Sequence, residues 1–389
     1  MMSEEMSVTQ FSSNMVLTLS LPGIVCKECA MSISPDFTRL AVHRVFIFLT
    51  VVAVSLVSHA NADGPKPCAQ PGLATWVAEW GIPSQLSPQL SQLHRYSAVW
   101  TRDLAFHSSS RSFHQVPSSV LTEVHRELKK TPDVCRGPVL HNATGKGFDA
   151  SLGLEILKMP DPAFSQLAEL VKQQGWNVLQ VDLESLPETA AEDFEKWLAR
   201  LIKSLEPQSI RISVVLHAKT SLPGDYEGAR FQRWDKLAAL PVDFVVMAYD
   251  YHWSTSAPGP IAPFHWVEKV AQLSKATFSM DRLFLALPVY GYHWKKKPGK
   301  TVTWSGRPEL APALAKLTSA KRWKAIQLKD SADGMARSRG LDEKSYWDDG
   351  KSAADKIQRL RKLGYEKFAL WRWGGDPEAL ALTPFQVRQ

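Results

Sequence analysis

The sequence predicts an α/β fold, a (β/α)8 TIM barrel with a small insertion between strands seven and eight. Eight short segments of strand character follow one another from about Leu73 onwards. Amphipathic helical segments separate most of them, which is typical of parallel strands joined by crossover helices. Eight such repeats favour closure into a barrel. An open doubly wound sheet is the competing architecture, but it requires a Gly-rich phosphate-binding turn after an early strand, and the sequence has none.

The predicted strands are short apolar runs bounded by turn-forming residues. In chain order they are Ala74–Trp80, Tyr96–Thr101, Gly137–Asn142, Val178–Glu184, Arg211–His217, Asp243–Tyr249, Leu283–Val289 and Lys367–Arg372. The long interval Tyr290–Glu366 predicts the insertion, in which Val302–Trp304 and Lys324–Leu328 have short extended character.

Four segments between the strands carry apolar residues at helical spacing. They are Pro162–Gln174, Glu188–Leu205, Val267–Leu273 and Ala353–Leu363. In the first of them, Phe164, Leu167 and Val171 lie on one face, and Gly175 follows as a stop signal.

The N-terminal region does not have the pattern of the barrel. A basic segment (residues 39–44) precedes the 13-residue apolar run Val45–Val57, and a small-residue cleavage site ends at Ala62. This order predicts a secretory signal peptide within residues 1–62, with Met31 as the true initiator, and a mature barrel over 63–389. The run is too short to span a bilayer comfortably, although an uncleaved membrane anchor is the alternative. We therefore expect a secreted or periplasmic protein.

The composition is that of an ordinary globular protein, with 44% hydrophobic and 22% charged residues among 389. The net charge of +7 suits an anionic wall polymer and equally suits solubility alone. Cys26 and Cys29 form a CxxC in the segment that we expect to be absent from the mature chain. Cys68 and Cys135 could pair in an oxidising compartment, or remain as buried free thiols.

The fourth predicted strand carries the strongest chemical signal. Because strand side chains alternate between faces, Gln180, Asp182 and Glu184 share the face that points into a barrel. They rise toward the C-terminal rim, where barrel enzymes place their active sites. Buried carboxylates are costly unless they are paired or used, so this face predicts a functional site. The alternative is a half-exposed antiparallel strand whose polar face lies in water.

The same stretch, Asn177-x-x-Gln180-x-Asp182-x-Glu184, resembles the DxxDxDxE signature of glycoside hydrolase family 18. The final Asp-x-Glu matches, whereas amides replace the first two acidic positions. Other segments resemble that family's strands three, five, six, seven and eight in the same order, with features of its spore-cortex and cell-wall branch. These segments are Leu140–Asn142, Leu216–Thr220, Val246–Trp253 with the following Ser254–Pro263, Leu287–Tyr292 and Leu370–Pro377.

The resemblance implies a glycosidase in which the substrate's own 2-acetamido group is the nucleophile. Glu184 would be the general acid, Asp182 would orient the acetamido N–H, and Tyr249 would donate to the acetamido oxygen. The charge of Asp182 would also raise the pKa of Glu184. The second amide, Gln180, rules out a proton shared with Asp182 at that position, but it leaves the acid and the acetamido clamp in place.

The resemblance also implies a set of substrate-binding residues, and Trp371 would form the apolar floor under the sugar at the cleavage point. The set is Gln180, Met247, Asp250, Trp371, Tyr290 and Asn142. Each has a structural alternative: Tyr249, Met247 and Trp371 could pack in the core, and Asp250 could cap the next segment. We expect His141 to be hydrogen-bonded scaffold. No cluster has metal-ligand spacing, so we expect no metal and no cofactor.

The predicted substrate is a β-linked N-acetylglucosamine glycan, with peptidoglycan first because a secreted hydrolase meets it first. Chitin or an N-glycan core, and a catalytically silent carbohydrate-binding barrel, are the alternatives. We expect a polysaccharide as the partner, no nucleic acid, no stable membrane insertion after signal cleavage, and a monomer.

Overall fold

The computed structural model describes residues 9–11, 14–16, 72–78, 90–297, 300–305, 323–327, 334–338 and 343–374. Residues 1–64 and 65–389 are two units, and in the first Thr9–Phe11 pairs antiparallel with Asn14–Val16. The predicted signal peptide lies outside the described residues, as do Cys26, Cys29 and Cys68. Within the described parts, no helix has the length and apolar character needed to cross a membrane.

The second unit is built on eight parallel strands that close into a barrel. They are β1 Gly72–Val77, β2 Ala98–His107, β3 Cys135–His141, β4 Val178–Asp182, β5 Arg211–His217, β6 Asp243–Met247, β7 Leu283–Pro288 and β8 Lys367–Trp371. Each strand pairs with its sequence neighbour, and β8 pairs with β1 to complete the ring. The predicted α/β barrel is therefore confirmed.

The two faces of each barrel strand bury different residues. In β4, Leu179 and Val181 pack into the core between the strands and the helices. Val178, on the opposite face, belongs to a separate interior cluster with Trp76 and Trp100. Every residue of β4 is buried, so this strand is not the half-exposed antiparallel alternative.

The helices pack outside the strands. They are α1 Ser119–Leu128, α2 Ala150–Leu157, α3 Asp161–Gln173, α4 Ala191–Leu205, α5 Glu227–Arg230, α6 Trp234–Leu237, α7 Phe264–Thr277 and α8 Gly350–Arg361. Short 3-10 helices span Ser91–Arg95, Glu188–Ala190, Glu206–Gln208 and Met280–Arg282. The predicted apolar face of α4 is buried through Phe194, Trp197 and Leu198.

The insertion between β7 and β8 is a five-stranded antiparallel sheet. Its strands, in spatial order, are Lys300–Ser305, Gly291–Lys297, Glu343–Trp347, Gly334–Ser338 and Trp323–Gln327. The two extended pieces predicted from sequence fall on the first and last of these, and Leu328 lies outside the described residues.

Several strand boundaries differ from the predicted ones for local reasons. Strand β2 continues past Thr101 to His107 because its end pairs with the short antiparallel strand Ser112–Gln115. Strands β4 and β6 end earlier than predicted, at Asp182 and Met247. The polar residues that follow these ends, Glu184 and Tyr249, therefore lie in the loops at the C-terminal rim.

Candidate functional site

A cavity of about 1300 Å³ opens at the C-terminal rim of the barrel. Its walls come from the ends of the strands and the loops that follow them. Seven of the predicted site residues line it: Asp182, Glu184, Met247, Tyr249, Asp250, Tyr290 and Trp371. The strand order thus brings together side chains that lie far apart in the sequence.

Asp182 and Glu184 form the acidic centre of this cavity. Glu184 and Asp182 share a side-chain hydrogen bond, and the Glu184 side chain is 17% exposed. Burial raises the pKa of Asp182 to about 6, while the charge of Arg102 and the bond from Glu184 oppose this increase. Burial, and then the charges of Asp182 and Asp250, raise the pKa of Glu184 well above its ordinary value. The raised pKa of Glu184 favours its protonated form, which can donate a hydrogen bond to the Asp182 carboxylate.

The backbone of Glu184 is fixed by Asn142, at the end of β3. The Asn142 Nδ2 donates to the carbonyl oxygen of Glu184 at 2.8 Å, and its Oδ1 accepts from the Glu184 N–H at 2.9 Å. Ser185, the next residue, has a φ of 61°, so the chain turns sharply after the acid. Asn142, a predicted substrate-binding residue, is fully buried and is not among the residues that line the cavity, and its amide holds the backbone of the acid.

Gln180, another predicted substrate-binding residue, makes its described contacts inside the barrel. It is fully buried and is not among the residues that line the cavity. Its Oε1 accepts from Trp76 Nε1 at 2.5 Å, and its Nε2 donates to Ser213 Oγ at 3.3 Å. Both polar atoms of the Gln180 amide are thus hydrogen-bonded inside the barrel. This arrangement explains why an amide, which both donates and accepts, fits where the family signature has an acid.

Three tyrosines lie around Asp250 in the same cavity. The hydroxyls of Tyr290 and Tyr292 both donate to Asp250 Oδ1, the second at 3.1 Å. Burial raises the pKa of Asp250 to about 6, although these two hydrogen bonds act in the opposite direction. Burial and the nearby carboxylates, Asp182 first, raise the pKa of Tyr249 well above its ordinary value, so its hydroxyl remains a donor.

An aromatic floor closes the cavity below the carboxylates. The ring of Trp371 lies 5.5 Å from that of Trp76, at an interplanar angle of 64°. The guanidinium carbon of Arg102 lies 5.9 Å from the centre of the Trp371 ring. Nearer the opening, Tyr251 and Trp253 are 40% and 48% exposed, and both line the cavity. Exposed rings in a cleft are suited to stacking on sugar faces.

Two cavity residues, His217 and Tyr226, received no site role from the sequence. His217 ends β5, and its Nε2 lies 3.7 Å from Glu184 Oε2. Tyr226 follows in the next loop, and its hydroxyl is hydrogen-bonded to His217 Nδ1 at 2.6 Å. A signal was present in the sequence, because His217 stands at the C-terminal end of a barrel strand.

His141 has the scaffold role that we expected from its sequence context. Its Nδ1 accepts from the N–H of Ala143 at 3.1 Å. Burial, assisted by the charge of Arg102, lowers the pKa of His141 to about 3, so its ring is neutral. In the described part of the chain, no group of three or more His, Cys, Asp or Glu side chains could hold a metal ion. Cys135 is disulfide-bonded, and Cys68, its predicted partner, lies outside the described residues.

The buried carboxyl groups predict a pH-dependent stability difference between the wild type and Glu184→Gln. The folded pKa of Glu184 lies above its ordinary value of 4.5, so the folded state retains a proton that the unfolded state loses. The stability that the protonated Glu184 contributes to the folded state is fully present below about pH 4.5, and it falls as the pH rises toward the folded pKa. The amide of the variant does not titrate, so we expect the Tm advantage of the variant to grow from pH 4 to pH 8. A difference that stays constant across this range in thermal melts would contradict the raised pKa.

The chain was compared with known protein families and curated proteins. Residues 163–376, more than half of the chain, match the family model described as Glycosyl hydrolases family 18. The uncharacterized glycosylase YvbX of Bacillus subtilis is 25% identical over 232 residues, 58% of this chain and 66% of that protein. The cortical fragment-lytic enzyme of Bacillus anthracis is 24% identical over 249 residues, 61% and 56% of the two chains. The chain thus spans 56% to 66% of the length of these relatives.

Solved structures share the fold of the barrel. The spore cortex-lytic enzyme SleL of Bacillus cereus has a TM-score of 0.69 at 17% identity, covering 80% of this chain and 73% of that chain. A chitinase of Chromobacterium violaceum has a TM-score of 0.70 at 14% identity, covering 82% of this chain and 100% of that chain. At these identities the likeness concerns the architecture.

Proposed function

The chain belongs to glycosyl hydrolase family 18, and we propose that it is a retaining glycosidase for β-linked N-acetylglucosamine glycans, with peptidoglycan as its preferred polymer. The observation that carries this proposal is the Asp182–Glu184 pair. Glu184, whose pKa is raised, shares a hydrogen bond with the Asp182 carboxyl group, and both residues line a cavity that Tyr249 also lines.

In the first step, Glu184 transfers its proton to the glycosidic oxygen as the bond from that oxygen to C1 breaks. The carbonyl oxygen of the substrate's 2-acetamido group attacks C1 from the opposite face and forms an oxazolinium ion. Asp182 no longer receives the hydrogen bond from Glu184, and it accepts a hydrogen bond from the acetamido N–H instead. Its negative charge also balances the positive charge that develops on the ring. Tyr249 donates to the acetamido oxygen and directs it at C1.

In the second step, the Glu184 carboxylate removes a proton from a water molecule, which attacks C1 from the face that the leaving group left. The ring of the oxazolinium ion opens and the acetamido group is regenerated. Two successive inversions at C1 give net retention. Glu184 ends the cycle protonated, as it began. The buried environment that raises its pKa is what an acid acting near neutral pH requires.

Peptidoglycan is favoured by the relatives and by charge. The curated relatives include cortical fragment-lytic enzymes, and the net charge of +7 suits a polymer that carries carboxylates. The N-terminal signal pattern supports secretion to the compartment that holds this polymer. Chitin is the second candidate, because exposed Tyr251 and Trp253 in the cleft suit stacking on unmodified sugars.

The test measures reducing ends released from N-acetylated peptidoglycan and from chitin oligosaccharides by the wild-type protein. We expect release from both, with faster release from peptidoglycan, and loss of release when either polymer is de-N-acetylated. Faster release from chitin would replace peptidoglycan with the second candidate. A wild-type protein that binds a glycan but releases nothing from any of these polymers would make the chain a carbohydrate-binding barrel.

A further inference from the structure

His217 occupies a position beside the acid that the mechanism above does not use. Its side chain is nearly buried at the end of β5, and its backbone N–H donates to Gln232 Oε1 at 2.8 Å. Its Nε2 has no hydrogen-bond partner among the described residues and lies 3.7 Å from Glu184 Oε2. A buried polar atom without a partner is costly, so an unsatisfied ring nitrogen aimed at an active carboxyl group indicates a use.

The hydrogen bond to Tyr226 sets the tautomer of this histidine. Burial raises the pKa of the Tyr226 hydroxyl, which therefore keeps its proton, and we assign the tautomer in which this hydroxyl donates to His217 Nδ1. With Nδ1 as acceptor, the ring proton lies on Nε2. Burial, then the charge of Lys219, lowers the pKa of His217 to about 4, so the ring is neutral at working pH. The result is a neutral N–H donor directed at Glu184.

We propose that His217 is a positioning residue for Glu184, held by Tyr226, whose Nε2–H donates a hydrogen bond to the Glu184 carboxylate once the acid proton has left. The inference rests on the proposed function, because it assumes that Glu184 is the general acid. The present separation of 3.7 Å is too long for a hydrogen bond, as is common for catalytic contacts before substrate binds.

The timing follows from the partners of Glu184. Before proton transfer, Glu184 donates to Asp182 and has little need of a second donor. After transfer it is an anion that faces the carboxyl groups of Asp182 and Asp250. A donor on the third side stabilises this anion and holds the carboxylate in place for the attacking water, because hydrogen bonds to charged acceptors are the strong ones.

Two cationic side chains, Lys219 and Arg102, also act near this pair. Lys219, on the same strand end as His217, directs its Nζ to the carbonyl oxygens of Pro223 and Gln232. Arg102 acts on Glu184 as a nearby positive charge, and it acts on Asp182 and His141 as well. Among the titratable groups of the described residues, Glu184 and Tyr226 contact His217, and Lys219 lowers its pKa.

The test is the pH–rate profile of His217→Leu, His217→Gln and Tyr226→Phe beside the wild type. Without the donor, Glu184 ionises less readily, so in His217→Leu we expect kcat to fall about ten- to a hundredfold. The alkaline limb of the profile, which reports loss of the Glu184 proton, should move upward by about one pH unit. His217→Gln, which keeps a neutral donor, should restore most of the wild-type kcat and most of the wild-type position of the alkaline limb. Tyr226→Phe should show a smaller upward shift of the alkaline limb than His217→Leu.

Each outcome of this experiment decides the inference. A folded His217→Leu protein with wild-type kcat and an unmoved or lowered alkaline limb would overturn it. Should His217→Leu fail to fold, the pH–rate profiles of His217→Gln and Tyr226→Phe decide. A near-wild-type kcat and alkaline limb in His217→Gln, together with an upward shift of the alkaline limb in Tyr226→Phe, support the inference. An unmoved alkaline limb in Tyr226→Phe overturns it. If Glu184→Gln is inactive while His217→Leu keeps the wild-type profile, this inference alone fails. Wild-type activity in Glu184→Gln would instead overturn the proposed function.

Discussion

Glu184→Gln is expected to lower the hydrolysis of an N-acetylated glycan by about three decades or more, with little change in KM. The amide keeps the shape of the side chain and the backbone hydrogen bonds with Asn142. It cannot give a proton to the glycosidic oxygen, nor remove one from water in the second step. Because one residue serves both steps, its loss affects the whole cycle. The measurement is the rate of reducing-end release by matched amounts of the two proteins.

A matched control for this variant is Glu192→Gln, on α4. Glu192 is exposed and lies in an ion pair with Lys196, away from the cavity lining. Glu192→Gln makes the same change from carboxyl group to amide as Glu184→Gln, and the variant should retain wild-type activity. If Glu184→Gln retained a tenth or more of the wild-type rate while folded, Glu184 would not be the general acid.

Asp182→Asn is expected to have the second largest effect, a loss of about two to three decades in kcat. The carboxylate accepts the hydrogen bond from Glu184 and, in the proposed mechanism, the acetamido N–H of the substrate. An asparagine retains one acceptor oxygen but no charge, so the positive charge developing on the oxazolinium ion loses its nearest counter-charge. The charge of Asp182 also contributes to the raised pKa of Glu184, so its removal should shift the alkaline limb downward.

Asp193→Asn, in the exposed first turn of α4, is the matched control for this second variant. Full pH–rate profiles of both proteins separate the two roles of Asp182. A downward limb shift with unchanged kcat would leave Asp182 with an electrostatic role on Glu184 and remove its role as acetamido acceptor.

The barrel was predictable because its signals are local and repeated. Strand runs such as Arg211–His217 were predicted with both boundaries correct, and the α4 periodicity located its buried face. The Asp182–Glu184 pair was predictable for the same reason, because two residues on one strand share a face whatever the rest of the chain does.

Features that depend on packing between distant segments were not predictable in the same way. The amide of Asn142 binds the backbone of Glu184 across 42 sequence positions, a contact that no local pattern in the sequence predicts. Gln180 is engaged by Trp76 from β1, an interaction that exists only once the barrel has closed. The approach of His217 to Glu184 likewise depends on the register between β4 and β5.

The five-stranded insertion was only partly predicted because antiparallel strands carry weaker continuous apolar runs than parallel barrel strands do. Two of its strands gave an extended signal in the sequence, while Gly291–Lys297, with three consecutive lysines, did not. The strand is identified by its pairing on both sides, to Lys300–Ser305 and to Glu343–Trp347.

Hydrolysis with the substrate's acetamido group as nucleophile requires retention at C1. The most direct test is proton NMR of the products in the first minutes of reaction, before the reducing ends mutarotate, on N-acetylated chitin oligosaccharides or soluble peptidoglycan fragments. We predict that the first new reducing ends are the β-anomer. First products in the α-anomer would show direct attack by water, and would contradict the account whatever the rate.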